Sequence, residues 1–342
     1  MISTILWSII LPLQVLSYGS YTILVHLSES SKGKITYSSV SLNFIIELSK
    51  LTLSCFLFFI KKLYDYISNN ANRRVESCDS ESLQVITNNA DSFDMRYSLY
   101  YAIPGFLYFI NNNLAIYMQF YMDSATYQML CNLKILSTSV LYYLIMKKSL
   151  TKRKWLSLIL LFFAGIFYCF GNLGGDLMEN VDGVRNRVYI TKLGIFLITV
   201  YTTISGLAGV YTEYILKINY SASIYIQNMY LYTWGCIFNL FSFFLQKFYF
   251  PYLNEAATDE TVTSLFYGYN IFTWLIIITQ VFNGFSMSIV MKHSNNLTRL
   301  FIISMSLIVT VTLSVILFSL KLNFYFYISF ASTLIALYLY TK

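Results

Sequence analysis

Charged residues are scarce in this sequence. Only 11% of its 342 residues are Asp, Glu, Lys or Arg, and 57% are hydrophobic, whereas an ordinary soluble domain has about 25% charged residues. This composition excludes a chain of soluble globular domains and indicates a protein that crosses a membrane several times. Dividing the length by a typical domain size is therefore not a valid way to count domains here.

Cysteine and histidine are also rare, with five and two residues respectively. The cysteines are scattered without a C-x-x-C pair, and His26 and His293 lie far apart in the sequence. This pattern indicates neither a disulfide framework nor a metal site, so we expect no metal and no cofactor. The net charge of +7 would suggest nucleic acid in a soluble protein. Here the basic residues lie mostly in predicted loops, so we interpret them as signals of membrane orientation.

Long apolar runs are the main positive feature. A membrane-spanning helix needs about 20 mainly apolar residues. Ten stretches meet this length, at 4–27, 38–61, 97–121, 124–146, 154–172, 190–216, 222–246, 268–291, 297–320 and 322–341. The first is too long for a signal-peptide core and lacks a basic start, so we interpret it as a true span. The sequence thus predicts an all-α membrane protein with ten transmembrane helices in one domain, 1–342.

Basic residues predict the orientation of these spans. With an even number of spans both termini share one side, and placing them in the cytosol gives that side thirteen basic residues against seven on the other. The loop from Lys147 to Lys154, with five basic residues, contributes most. The positive-inside rule therefore predicts cytosolic termini. A polar insert at 63–96, rich in Asn, Ser and Asp, is predicted to be a mobile cytosolic loop.

The number of spans also predicts a repeat. Ten spans divide into halves of five, about 1–172 and 190–342. An odd number of spans in each half forces the halves into opposite orientations. That is the layout of inverted-repeat transporters, which bind substrate near the middle of the bilayer. Residue similarity between the halves is weak, so this prediction depends on topology.

Several polar residues lie inside the predicted spans. Lys134 is roughly halfway along an apolar segment, where a cation costs ~3 kcal/mol or more. Residues spaced by three, four or seven share a helix face. Such spacings connect the candidate substrate-binding residues, which are Glu47 with Lys50, Tyr108 with Asn112, Tyr127 with Lys134, Asn228 with Tyr232, Ser205, and Arg299. Six spans with polar faces predict one shared, water-filled cavity.

The residue types suggest the ligand. Lys134 and Arg299 have no obvious acidic partner, so they suit an anion such as phosphate; Arg offers a planar fork and Lys a point charge. Tyr and Asn side chains suit a base and a sugar. Glu47 and Lys50 either form a structural ion pair or bind sugar hydroxyl groups.

Three other polar positions favour structural roles. Glu213 lies four residues before Lys217 near a helix end, which predicts a salt bridge. Asp123 is interpreted as a helix N-cap. Cys131 is interpreted as a small packing residue.

An ordered set of short blocks in both halves carries a family resemblance. In the first half the blocks are Asn111-Asn112-Asn113-Leu-Ala, Met122-Asp123-Ser-Ala-Thr-Tyr127-Gln128, Leu133-Lys134-Ile135, Ser149-Leu150 and Trp155-Leu-Ser. In the second half they are Ser205-Gly206-Leu-Ala-Gly209-Val-Tyr211-Thr-Glu213, Gln227-Asn228, Phe266-Tyr267-Gly268-Tyr269 and Val290-Met-Lys292-His-Ser-Asn295-Asn296. With these blocks the chain resembles the nucleotide-sugar transporters that carry CMP-sialic acid, UDP-galactose and UDP-N-acetylglucosamine. Within this family it looks similar to the UDP-galactose transporters of protozoan parasites.

The resemblance implies a drug/metabolite-transporter fold in the Golgi or endoplasmic reticulum membrane. It implies exchange of a cytosolic UDP-sugar, UDP-galactose first, for lumenal UMP. It also implies residue roles. The phosphate would be held by Lys134 and Arg299. The nucleotide would lie beside Tyr108, Asn112 and Tyr127, and its ribose and base would be lined by Ser205, Asn228 and Tyr232. The sugar would face Glu47 and Lys50.

The sequence departs from the family at three positions. Gln227 replaces an arginine, Arg299-Leu300 replaces Lys-Gly, and Cys131 replaces a tyrosine. No Gly-Ala-Leu-Asn-Lys run is present, which argues against GDP-sugars.

Other functions stay open at this point. UDP-N-acetylglucosamine or a CMP-sugar is the alternative substrate, and a small-metabolite or drug exporter of the same fold is a further alternative. A membrane enzyme would need an acidic cluster, for which the sequence offers only Asp176, Glu179 and Asp182 in one loop, so we expect no enzyme activity. Besides substrates and membrane lipid, a homodimer is possible and nucleic acid is not expected.

Overall fold

A computed structural model gives the fold. It describes residues 4–28, 37–72, 95–119, 121–122, 124–146, 151–172, 190–218, 220, 222–253, 265–293, 296–319 and 322–341. All the elements in these ranges are helices. One isolated β-bridge joins Met122 to Ile190. These residues lie just before the helices that begin at Ser124 and Lys192, so the bridge holds the two helix starts together.

Twelve helical segments follow in chain order through the described ranges. They are α1 Thr4–Leu27, α2 Ser39–Asn72, α3 Met95–Tyr100, α4 Ala102–Met118, α5 Ser124–Cys131, α6 Lys134–Met146, α7 Lys152–Asn172, α8 Lys192–Ile218, α9 Ile224–Leu253, α10 Ile271–His293, α11 Asn296–Phe318 and α12 Phe324–Thr341. Each predicted apolar stretch therefore contains one helix or a pair of them.

The third predicted span is divided in two, which the single stretch 97–121 did not anticipate. α3 ends at Tyr100, and Tyr101 lies in the turn before α4. Pro104 lies three residues further on. A proline lacks the amide proton for a helical hydrogen bond, and its ring clashes with the carbonyl four residues back, here that of Tyr100. The proline therefore accounts for the interruption.

The fourth predicted span, 124–146, is also divided, between Cys131 and Lys134. The side-chain amide of Asn132 donates to the main-chain carbonyls of Gln128 and Met129, at 3.4 and 3.2 Å. Asparagine side chains compete with the backbone for helical acceptors in this way. As a result Lys134 is the first residue of α6 and does not lie inside a continuous helix.

The polar insert predicted as a loop at 63–96 is helical at its start, because α2 continues to Asn72. The segment 39–72 contains neither glycine nor proline, so no residue in it interrupts the helix. α3 begins at Met95, and the rest of the insert lies outside the described residues. Likewise α9 continues to Leu253, beyond the predicted end at 246.

Apolar side chains cover the outer surface as well as the interior. Phe59, Phe163, Ile278 and Ile316 are each at least 60% exposed. Four helical segments in the described ranges are long and apolar enough to cross a membrane, namely Ile10–Leu27, Ser39–Ser68, Lys192–Ile218 and Ile271–His293. A helical protein with large apolar side chains on its outside is suited to lipid and not to water.

Candidate functional site

A central cavity of about 1250 Å³, part of it open to solvent, lies among the helices. Side chains from α1, α2, α4, α5, α6, α8, α9, α10 and α11 line it. Nine of the ten residues predicted to bind substrate are among them, namely Glu47, Lys50, Tyr108, Asn112, Tyr127, Lys134, Ser205, Tyr232 and Arg299. Spacing along separate helices therefore identified residues that the fold brings to one place.

Lys134 is held by a tyrosine of another helix, and a second tyrosine bonds to the first. Its ammonium donates to the hydroxyl of Tyr201 on α8 and lies 4.1 Å from the centre of that ring. The hydroxyl of Tyr127 donates to the same oxygen at 3.1 Å. Lys134 is only 8% exposed. The tyrosine supplies a neutral acceptor and a π face but no opposite charge.

Arg299 has a similar arrangement with a tyrosine of another helix, Tyr108 on α4. Its Nη1 donates to the hydroxyl of Tyr108 at 3.0 Å and approaches the sulfur of Met291 at 3.6 Å. Its Nε is buried and has no hydrogen-bond partner in the described part of the chain. A partly buried guanidinium with an unused, buried donor is a candidate for an anionic ligand that accepts from it.

Glu47 and Lys50 form an ion pair of 2.9 Å between Oε1 and Nζ. Both side chains are more than 90% buried, and Lys50 lies 5.6 Å from the centre of the Tyr232 ring. The carboxylate therefore neutralises this lysine within the cavity wall. Each of the three cavity cations thus faces a tyrosine from another helix.

Two glycines make room for this pair. A Cβ at Gly235 on α9 would lie 3.0 Å from Glu47 Oε2, and one at Gly284 on α10 would lie 2.7 Å from Lys50 Cε. The second distance is shorter than side chains tolerate without moving. The absence of a side chain at Gly284 therefore lets the stem of Lys50 lie flat against α10.

The cavity has an excess of positive charge. Its described lining contains three cations, Lys50, Lys134 and Arg299, and one carboxylate, Glu47. Among the residues that the structure describes, no carboxylate lies within ion-pair distance of Lys134 or Arg299. The lining therefore carries a formal charge of about +2. Such a charge in a buried site calls for an anion, because an unpaired buried charge is costly.

Asn228 is the exception among the predicted site residues. It is buried behind the lining, and neither atom of its side-chain amide has a hydrogen-bond partner in the described ranges. The neighbouring Gln227, which replaces the family's arginine, donates to the carbonyl of Leu216 at 3.4 Å. Neither residue is among those that line the cavity.

The structural roles predicted from sequence are partly confirmed. Glu213 accepts from Lys217 at 2.6 Å and from the hydroxyl of Tyr142 at 3.0 Å, as expected for a salt bridge near a helix end. Cys131 is buried in a hydrophobic cluster, and it also lines the cavity. Asp123 lies outside the described residues, as do Asp176, Glu179 and Asp182.

Sequence reasoning missed several lining residues. Tyr201 lies one helical turn before Ser205, so extending that polar face by one turn would have found it. Gln128 also lines the cavity, and its amide donates to Ser306 on α11 at 2.6 Å. The predicted spans 4–27 and 268–291 contain no charged residue that would have drawn attention to them, yet their helices, α1 and α10, contribute Tyr18, Tyr21 and Gln280 among others.

In the described part of the chain, no three His, Cys, Asp or Glu side chains are grouped so that they could hold a metal ion. The site instead offers cations, hydroxyls and amides. These groups suit binding of a polar, anionic molecule more than bond-breaking chemistry.

Apolar helices around a central cavity lined by cations, hydroxyls and amides are the architecture of a multi-pass membrane protein with a polar interior. The sequence model of the nucleotide-sugar transporters matches residues 3–341. The chain belongs to the nucleotide-sugar transporter family.

Its relatives cover nearly its whole length. It is 38% identical over 336 residues to the probable UDP-sugar transporter protein SLC35A4 of Xenopus tropicalis, which is 98% of this chain and 92% of that protein. The proteins of the same name from Danio rerio and Homo sapiens are 35% and 32% identical, covering 98% and 94% of this chain and 93% and 90% of theirs. All three are named as transporters, and the names do not specify the sugar.

Proposed function

We propose that this protein imports a UDP-sugar into the lumen of the endoplasmic reticulum or Golgi in exchange for UMP, by alternating access to one central site. UDP-galactose is the first candidate substrate, with UDP-N-acetylglucosamine and CMP-sugars as alternatives. Both termini face the cytosol in this proposal. Its main support is that Lys134 and Arg299 line one cavity and that no carboxylate of the described residues pairs with either of them.

Charge matching explains why exchange is favoured over one-way transport. The two phosphates of a UDP-sugar carry about two negative charges, and so does the phosphate of UMP near neutral pH. Either ligand balances the +2 of the lining. An empty cavity would have to change conformation with two unbalanced buried cations, which is unfavourable. The loaded carrier therefore turns over and the empty one does not.

Alternating access in this proposal uses a ten-span architecture of two inverted halves. We assign α1–α7 to the first half, with α3/α4 and α5/α6 as single spans, and α8–α12 to the second. The most extensive helix contacts are α2–α9, α7–α12, α1–α11, α1–α10, α6–α8, α4–α8, α4–α9 and α2–α10.

This set of contacts is unchanged when the halves are exchanged. The exchange turns α1–α11 into α6–α8, α1–α10 into α4–α8, and α4–α9 into α2–α10, and it leaves α2–α9 and α7–α12 as they are. Such symmetric packing is what a pseudo-twofold axis between two repeats produces. Lys134 on α6 and Arg299 on α11 belong to corresponding elements, so a phosphate between them bridges the halves.

The residue roles follow from this arrangement. Lys134 and Arg299 bind the phosphates, with Tyr108, Asn112 and Tyr127 beside the nucleotide. Ser205 and Tyr232 contribute to the ribose and base end, and Glu47 and Lys50 face the sugar. Asn228 receives no direct contact in this proposal because it does not line the cavity.

Counter-exchange in proteoliposomes tests the proposal. Vesicles preloaded with UMP and containing the wild-type protein take up UDP-galactose, whereas vesicles without UMP do not. Losing one partner of a buried, hydrogen-bonded charge pair costs at least ~2 kcal/mol, or roughly 30-fold in affinity. Lys134→Ala is therefore expected to lower UMP-dependent uptake at least that far.

Lys192→Ala is the matched control, because Lys192 is exposed at the start of α8 and far from the lining. It is expected to transport like the wild type. Uptake by Lys134→Ala with wild-type affinity would overturn the assignment of the phosphate site. Uptake that does not depend on internal UMP would overturn the exchange.

A further inference from the structure

Three amide side chains line the cavity on α2, α9 and α10, and neither the proposed phosphate site nor the ion pair uses them. They are Asn43, Asn239 and Gln280, here called the amide lobe. Each lies four residues from a group at the Glu47–Lys50 centre. Asn43 is one turn from Glu47, Asn239 one turn from Gly235, and Gln280 one turn from Gly284. Residues four apart lie on the same helix face.

The register of the three helices puts these amides at the same end. Ser38, just before α2, donates to Gln246 on α9 at 3.3 Å, while Glu47 lies against Gly235. Hence α2 and α9 are antiparallel, and Asn239 lies toward the start of α2, as Asn43 does.

α10 runs in the same direction as α2. Ser41 is 3.4 Å from Tyr269, which precedes α10, and Lys50 lies against Gly284. Gln280 therefore also lies toward the start of α2. The amide lobe is thus one helical turn, about 6 Å at 1.5 Å per residue, beyond the ion pair.

Arg299 lies on the opposite side of the ion pair. It contacts Met291, which is seven residues after Gly284 on α10. Along α10 the order is therefore Arg299, the Glu47–Lys50 pair, and the amide lobe, over roughly 16 Å at 1.5 Å per residue. A ligand whose phosphate binds Arg299 and whose other end passes the ion pair reaches the amides.

The amide lobe has unused hydrogen-bonding capacity. Asn43 is 4% exposed, and its Nδ2 has no partner among the described residues. Asn239 is held in place, since it accepts from Asn113 at 3.1 Å and donates to the carbonyl of Gly235 at 2.8 Å. A buried amide donor without a partner costs about 1–3 kcal/mol. A ligand that accepts from it removes this cost.

We infer that the amide lobe is the sugar-specificity subsite and that it selects an uncharged, hydroxyl-rich hexose over a hexuronate. This inference rests on the proposed function. Amides donate and accept, and so do sugar hydroxyls. A sugar carboxylate would meet no free cation there, because Lys50 is neutralised by Glu47, and it would be repelled by the Glu47 carboxylate.

A binding panel on purified protein tests the inference with three probes, UMP, UDP-galactose and UDP-glucuronate. In the wild type, UDP-galactose binds at least tenfold more tightly than UDP-glucuronate. In Asn43→Ala/Gln280→Ala, UDP-galactose binding weakens roughly tenfold, since each lost hydrogen bond is worth a factor of a few. UMP binding changes less than about twofold, because UMP lacks the sugar.

Asn283→Ala is the matched control. Asn283 is a buried asparagine of α10 whose amide also has no partner in the described ranges, but it does not line the cavity. All three affinities are expected to stay at the wild-type level in this variant.

The outcomes separate the two proposals. The amide lobe is not the sugar subsite if the wild type binds UDP-galactose and UDP-glucuronate equally. The same conclusion follows if the double variant loses UMP and UDP-galactose binding in parallel. In both cases UMP binding by the wild type still supports the nucleotide site. Absence of UMP binding in the wild type overturns the proposed function and this inference with it.

Discussion

The Glu47–Lys50 pair and the two cations Lys134 and Arg299 line the same cavity, yet their charges are balanced differently. Glu47 neutralises Lys50 at 2.9 Å within the protein. In the described part of the chain, Lys134 and Arg299 contact uncharged groups, namely the hydroxyls and rings of Tyr201 and Tyr108 and, for Arg299, the sulfur of Met291. One centre is electrostatically complete without a ligand, and the other is not.

This difference separates stability from binding. A buried ion pair that loses one member leaves an uncompensated charge and destabilises the fold by ~3–5 kcal/mol. A cation without a carboxylate partner already carries much of that penalty in the folded state. Removing it is therefore expected to harm ligand binding and not the fold.

The largest expected effect is on stability, from Glu47→Ala. This change leaves Lys50 buried without its carboxylate, so we expect the free energy of unfolding to fall by ~3–5 kcal/mol. Denaturant unfolding of ligand-free protein in detergent measures it. The double variant Glu47→Ala/Lys50→Met should recover most of the loss, because it removes both charges. If the double variant is no more stable than Glu47→Ala, the pair is not what holds this centre together.

Lys134→Met should give the opposite result. Ligand-free stability stays the same or rises, because an unbalanced buried ammonium is removed. UMP at 100 times its dissociation constant stabilises the wild type by about 2.7 kcal/mol, and this gain should disappear in the variant.

The Glu47→Ala/Lys50→Met variant is the control for that loss, since it leaves the net charge of the lining unchanged. It should keep the stabilisation by UMP. A variant Lys134→Met that unfolds more easily without ligand and still responds to UMP would reverse the roles assigned to the two centres.

Sequence patterns predicted the parts of this arrangement that depend on local physics. Long apolar runs predicted the helices, and spacings of three, four and seven predicted faces such as Tyr127 with Lys134, which the fold brings into the cavity. The break at Tyr101 could have been predicted from Pro104, whereas the break before Lys134 depends on how the Asn132 side chain bonds.

Residues with a weak local signal, or none, were missed. Tyr201 lies one turn before Ser205, but it is one of 31 tyrosines, and its role follows from the tertiary contact with Lys134. Likewise the register between α2 and α10 determines that Asn43 and Gln280 lie at the same end of the cavity, and the sequence does not show this register. That Lys134 would meet a tyrosine while Lys50 meets a carboxylate depends on helix packing, which sequence periodicity does not contain.

Gly284→Ala should have an intermediate effect, confined to the ion-pair centre. The new Cβ would lie 2.7 Å from Lys50 Cε, so Lys50 must move away from Glu47. Overpacking of this kind costs about 1–3 kcal/mol, measured by denaturant unfolding. In a Glu47→Ala/Lys50→Ala background the long side chain is absent, and the same glycine change should cost almost nothing. An equal cost in both backgrounds would mean that α10 packs against something other than Lys50 at this glycine.

The smallest effect, and the closest test of the comparison, comes from Tyr201→Phe. The change removes the hydroxyl that accepts from Lys134 and Tyr127 and keeps the ring beneath the ammonium. Ligand-free protein should lose about 1 kcal/mol. With UMP bound, a phosphate replaces the lost acceptor, so most of that loss should be recovered and the affinity for UMP should rise a few-fold.

Tyr142→Phe is the matched control for this result, because Tyr142 donates to Glu213, which does not line the cavity. Its cost should be similar in size, about 1 kcal/mol, and UMP should not recover it. Unfolding curves with and without saturating UMP give both values for each variant. If UMP restores the stability of neither variant, Lys134 does not bind the phosphate. The charge of Lys134 is then not balanced by the ligand, and the contrast with the Glu47–Lys50 pair is wrong.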